Sequence, residues 1–166
     1  MSASLSQAFR DGPGLDLRTP TFTVRRVRDP DVQGSRLFTI SEANALLPEL
    51  RLLLGQLQRA RERVLDAQRR LRDRFHGGPR ANGHATPGGE MVRLTGAAQE
   101  AQEDIARAVQ AIAELGCELK DPERGMVDFR TERDGRTVYL CWLINEPRIL
   151  YWHELNAGYR GRQALD

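Results

Sequence analysis

Two apolar seams separated by a glycine-rich stretch constrain this chain more than any other feature. In the first, Leu46, Leu50, Leu53, Leu57, Ala60, Val64, Ala67 and Leu71 recur at alternating spacings of four and three, the a and d positions of a helix that buries one stripe. In the second, Leu94, Ala98, Ala101, Ile105, Ala108, Ile112 and Leu115 repeat the pattern. Between them, Gly77 to Gly89 holds five glycines and two prolines, which predicts irregular structure. Two seams of similar length joined in this way predict an antiparallel coiled-coil hairpin over 39–116, the alanines of the second helix allowing close approach of the axes. Leu47, Leu52, Leu54 and Val109 lie off the seams. They need a sheet or a second copy of the chain to cover them.

The helix ends carry their own signals. Thr39-Ile40-Ser41-Glu42 reads as a capping box, with the Thr39 hydroxyl accepting from the Glu42 amide and the Glu42 carboxylate reaching back. Pro48 removes a backbone donor and predicts a short first turn followed by a kink or fresh start. The second helix is expected from about Glu90, and Gly116 is placed to take the left-handed conformation after it.

From Gly125 the period changes to two. Val127-Asp128-Phe129-Arg130 alternates, Asp134-Gly135 marks a two-residue hairpin, and Thr137 to Ile144 is rich in β-branched and aromatic residues. Asn145-Glu146-Pro147-Arg148 turns the chain into a third strand, Ile149 to Leu155. A two-residue first turn pairs Val127 with Trp142, Phe129 with Leu140 and Thr131 with Val138. A four-residue second loop would pair Ile144 with Ile149, Trp142 with Tyr151 and Leu140 with His153. On that register His153 faces the core. The opposite face carries Asp128, Arg130, Tyr139, Cys141, Trp152 and Glu154, with rows Asp128–Cys141–Trp152 and Arg130–Tyr139–Glu154. Half of this face is apolar, so it is expected to meet something: an amino-terminal arm, a second subunit or a ligand.

The expected fold is therefore α+β: the helical hairpin, then a small three-stranded antiparallel meander with its tail over 117–166. Residues 37–166 form one domain. Residues 1–36, with three glycines and three prolines, are expected to be a flexible arm, whose Phe22–Val27 run could add as an edge strand.

Composition narrows the function classes. With 40% hydrophobic and 29% charged residues the chain is globular in character, and no apolar run approaches the length of a membrane span. Met1 to Arg10 shows no secretory signal, and a reducing cytosol is the expected compartment. Two cysteines, Cys117 and Cys141, make neither a disulfide scaffold nor a four-cysteine zinc site. Lys120 is the only lysine, so the positive charge is almost wholly arginine, spread along the chain. The Arg59–Arg74 stretch of the first helix interleaves Glu62, Asp66 and Asp73 and shows no aromatic on its exposed face, so nucleic-acid binding is not expected. His76 and His84 fall in the glycine-rich loop and read as linker.

The sheet offers the main chemical candidates. Adjacent His153 and Glu154 point to opposite faces of a strand and cannot chelate one ion without a bulge. Asp128, Cys141 and Glu154 without a histidine make a poor zinc set. No metal site is therefore expected, and one would have to be assembled from Asp128, Cys141, His153 and Glu154. Cys141 as a nucleophile lacks a base on its own face.

Three segments together carry a resemblance. They are Phe38-Thr39-Ile40-Ser41-Glu42-Ala43-Asn44-Ala45-Leu46-Leu47-Pro48-Glu49-Leu50, Gly125-Met126-Val127-Asp128-Phe129, and the run from Cys141-Trp142 through Glu146-Pro147 and Trp152-His153 to Gly158-Tyr159-Arg160-Gly161-Arg162. Over residues 37–166 the chain resembles a bacterial family known only as a domain of unknown function, numbered two-two-zero-three. The resemblance implies no reaction and no catalytic residue. It does draw attention to the tail, where Glu146, Gly158, Arg160, Gly161 and Arg162 could form an anion-binding nest or clasp the tail to the domain.

These readings converge on a protein–protein association module, beginning with a homodimer, without catalytic residues or cofactor. Two alternatives stand beside it. One is an anion- or divalent-metal-binding enzyme using Asp128, Arg130, Glu146, Glu154, Arg160 and Arg162. The other is RNA binding through the arginine-rich helix.

Overall fold

The computed structural model describes residues 36–75 and 87–165. The expected arm, its Phe22–Val27 strand, and His76 and His84 lie outside these residues, apart from Arg36.

Helix α1 spans Ile40–Phe75 and helix α2 spans Pro87–Glu114. At its start α1 has the reciprocal cap: Thr39 N donates to Glu42 Oε2 at 2.8 Å, and Glu42 N donates to Thr39 Oγ1 at 3.2 Å. The expected break at Pro48 does not occur, and α1 runs through it as one helix. The turn that Pro48 weakens is held from both sides. Phe38 N donates to Arg130 O at 2.8 Å, and Asn44 bonds Ile40 O through its amide nitrogen and the Ile149 amide through its Oδ1. Helix α2 begins three residues before Glu90, with Pro87 at its first position, where a missing N–H costs nothing. Gly116 closes it at φ +85°, as expected.

The seams pack together: Leu50, Leu57, Ala60, Val64 and Ala67 of α1 and Ala101, Ile105, Ala108 and Ile112 of α2 are buried. Arg63–Asp104 and Arg74–Glu90 pair across the hairpin. Of the four off-seam residues, Leu47 and Leu54 are covered by the sheet, whereas Leu52 and Val109 stay exposed.

The sheet has five antiparallel strands in the order β1-β2-β3-β4-β5: Glu118–Asp121, Met126–Arg133, Arg136–Leu143, Tyr151–His153 and Gln163–Ala164. The expected meander is its centre, and β1 and β5 add an edge on each side. Strands β2 and β3 pair as predicted, Val127 opposite Trp142, Phe129 opposite Leu140 and Thr131 opposite Val138. Asp134 and Gly135 form their turn at φ 53° and 73°. Val127, Phe129, Val138, Leu140 and Trp142 pack on Leu47, Leu50 and Leu54 of α1 to make the core, with Phe38 edge-on to Phe129 at 5.4 Å between ring centres.

The register of β4 differs from the expectation by one residue. Tyr139 pairs with His153, Leu140 with Trp152 and Cys141 with Tyr151. The cause lies in the loop. The Ile149 amide, which a four-residue loop would bond to Ile144, is instead taken by Asn44 Oδ1 at 2.9 Å. The Leu143 amide is taken by Glu146 Oε2 at 2.9 Å, and Ile144 N donates to Gly125 O at 3.1 Å. With these amides bound elsewhere, the ladder resumes one residue out of step. A slip of one turns every side chain of the strand over: Trp152 joins the core, and Tyr151 and His153 leave it for the opposite face.

Candidate functional site

The corrected register assembles a cluster that the sequence reading kept apart. On the face away from α1 the rows are Glu118–Asp128–Cys141–Tyr151 and Arg130–Tyr139–His153. Asp128, Cys141 and His153 come from three successive strands and are 1%, 0% and 1% exposed. One donor atom from each lies within 4.8 Å of the other two. Trp152 and Glu154, expected on this face, are not in the cluster. Trp152 is in the core, and Glu154 pairs with Arg136 at 3.1 Å. His153, expected inward, is at the centre of the cluster.

The histidine is fixed at both ring nitrogens. Nδ1 lies 2.7 Å from the Glu154 carbonyl oxygen, and Nε2 lies 3.1 Å from Asp128 Oδ2, reaching across β3. Burial works against its charge, but the Asp128 carboxylate and the Glu154 carbonyl outweigh it and raise the His153 pKa above the ordinary imidazole value. Burial, then the Asp128 charge and a hydrogen bond between the thiol and the Asp128 carboxylate, push the Cys141 thiol well up, so a free Cys141 is protonated at neutral pH. Asp128 Oδ1 is buried with no nitrogen or oxygen donor, and only the weakly donating Cys141 thiol stands beside the carboxylate. A buried carboxylate oxygen so weakly satisfied is rare and calls for an explanation.

A polar shell surrounds the cluster. The Tyr139 ring lies 5.6 Å from the His153 ring, and its hydroxyl donates to Glu118 at 2.8 Å. Glu118 also accepts from Arg130 Nε at 2.7 Å and from Lys120 at 2.6 Å. Burial opposes its charge, but Lys120, Arg130 and Tyr139 together hold its carboxyl below the usual range. Arg130 and Tyr139 therefore share the predicted face, and Glu118, which shows no alternating run in its short strand, was not anticipated.

The tail residues act as a clasp. Arg162 donates to both Glu146 oxygens at 2.7 Å and to Cys141 O at 3.2 Å, and its guanidinium lies 4.0 Å from the Tyr151 ring centre. Gly158 at φ +60° and Gly161 shape the single 3-10 turn Tyr159–Gly161 that delivers Arg162. Arg160 is exposed. Of the proposed anion nest, Glu146 itself neutralises Arg162.

On the hairpin, the basic stretch is extensively ion-paired: Arg61 with Glu123 at 2.6 Å, Arg70 with Asp66 at 2.7 Å, and Arg63 and Arg74 with acids of α2. An open groove runs between the helices with Leu53, Ala67, Leu94 and Ala97 along its floor.

A helical hairpin joined to a five-stranded antiparallel sheet, with a buried Asp–Cys–His cluster on the far face of that sheet, defines the class of domain. The chain belongs to the family of uncharacterized conserved proteins DUF2203, whose model matches residues 36–165. No curated protein and no solved structure matches it. Among the described residues no helix is long and apolar enough to cross a membrane.

Proposed function

We propose that this protein is an association module whose helical hairpin pairs with the hairpin of a second copy, forming a four-helix bundle about a two-fold axis. The observation that carries the reading is the groove between α1 and α2. Its floor is apolar and its walls differ in charge. Helix α1 brings Arg59, Arg63, Arg69 and Arg70 against Glu62 and Asp66, and α2 brings Glu100 and Asp104 against Arg107. Arg63, Arg69, Arg70 and Arg107 already pair with Asp66 and Asp104 within the chain. A two-fold axis parallel to the helices therefore sets Arg59 of one copy and Glu100 of the other on facing walls and lets the remaining pairs be shared between copies. The pairing would bury the floor in the manner of an up-down bundle. Leu52 and Val92, 68% and 71% exposed, leave further apolar surface on the same hairpin.

Sedimentation across a broad dilution series, at low and high salt, tests this. The expected result is a dimer that weakens with salt and is lost in Ala97→Arg, which puts a charge in the floor at an exposed position. A wild-type chain that stays monomeric at every concentration contradicts it.

A further inference from the structure

We propose that Asp128, Cys141 and His153 form a binding site for one divalent transition-metal ion of borderline softness, with zinc the best match. A backbone carbonyl can only accept, so the 2.7 Å contact to Glu154 O places a proton on His153 Nδ1. A neutral ring then presents the Nε2 lone pair to a carboxylate oxygen 3.1 Å away. Two acceptors in contact in a buried site repel, so a positive species belongs between them. A second proton on the ring satisfies Nε2 and Oδ2 and leaves the buried Asp128 Oδ1 with only the weak thiol donor of Cys141 beside the carboxylate. A metal ion gives a role to all three side chains at once.

Geometry and charge agree. The donor atoms lie within 4.8 Å of one another. Tetrahedral zinc needs them about 3.3–3.8 Å apart, given its bond lengths to nitrogen, oxygen and sulfur, so small side-chain rotations suffice. Nδ1–H bonded to a backbone carbonyl is the outer contact that commonly orients a metal-bound imidazole. One thiolate, one carboxylate and a neutral imidazole cancel the charge of a divalent ion, which suits a buried site. The mixed sulfur, nitrogen and oxygen set disfavours calcium and magnesium, which take oxygen ligands. Binding forms bonds to Sγ, Nε2 and a carboxylate oxygen and displaces the thiol proton, with any second imidazole proton, to solvent. A water completes four-coordination.

The site joins β2, β3 and β4 and is independent of the hairpin pairing. The test uses the full chain, stripped by chelator and titrated with cobalt(II) as a spectroscopic probe, then with zinc. One cobalt per chain is expected, with a thiolate charge-transfer band and tetrahedral visible bands, both abolished by zinc. His153→Gln should weaken binding at least about 100-fold. Cys141→Ser should remove the charge-transfer band, and Cys117→Ser should retain it. If Cys141→Ser does not fold, the wild-type and Cys117→Ser spectra decide. A folded wild-type chain that binds neither ion, or a charge-transfer band lost in Cys117→Ser, overturns the proposal.

Discussion

His153 Nε2 lies 3.1 Å from Asp128 Oδ2, although strand β3 runs between the strands that carry them. The contact exists because both side chains stand on the same face and lean over Cys141. In the metal-free protein it is a buried pair, and removing one partner leaves the other stranded. Asp128→Ala and His153→Ala should each cost about 3–5 kcal/mol in urea unfolding. The double variant should cost clearly less than the sum, because the second removal has no partner left to strand.

A second buried pair fixes the tail. Arg162 and Glu146 side chains are 10% and 14% exposed. Arg162→Ala should destabilise the domain by about 3 kcal/mol. Amide exchange at Leu165, which donates to Leu150 O at 2.9 Å, should speed up first, because the clasp that holds β5 in place is gone.

Two glycines at positive φ separate backbone strain from steric fit. Gly125 sits at φ +64°, and an added Cβ would meet Ile144 Cβ and Cγ2 at 2.9 Å. Gly135, at φ +73°, has open space. Gly135→Ala should cost about 1 kcal/mol from the conformation alone. Gly125→Ala should cost about 2–3 kcal/mol, since the clash with Ile144 adds to the strain. Equal losses in chemical denaturation would contradict the close approach of the β1–β2 turn to the β3–β4 loop.

The α1 cap gives the pH dependence a definite sign. Bonds from the Thr39 amide and hydroxyl, with Arg36 nearby, hold the Glu42 carboxyl below its ordinary 4.5. A carboxylate lowered on folding stabilises the fold above its unfolded value, and the contribution fades as pH falls through the folded one. Thermal unfolding from pH 6 downward should show this loss at the α1 start. Glu42→Gln should show a smaller acid dependence and a lower melting point at neutral pH.

Both helices and the β2–β3 hairpin were legible in the sequence because their signals are local: the four-three spacing, Thr39 with Glu42, and Asp134-Gly135. The chemical character of the second sheet face was legible too, in Asp128, Arg130, Tyr139 and Cys141. The position of His153 was not. It depends on Asn44, over a hundred residues earlier, capturing the Ile149 amide, and on Glu146 capturing that of Leu143. No count of loop residues reveals such captures. Strands β1 and β5, of four and two residues, are too short to display alternation. Pro48 misled because its cost to the helix is met by contacts from β2 and the β3–β4 loop.

The pairing of β4 with β3 is the point on which the cluster stands, and proton–proton contacts to the His153 ring in solution read it directly. With Tyr139 opposite His153, the His153 ring should show nuclear Overhauser contacts to the Tyr139 ring and the Cys141 β-protons. Contacts to the Leu140 methyl groups instead would put His153 back in the core and dissolve the Asp128–Cys141–His153 cluster.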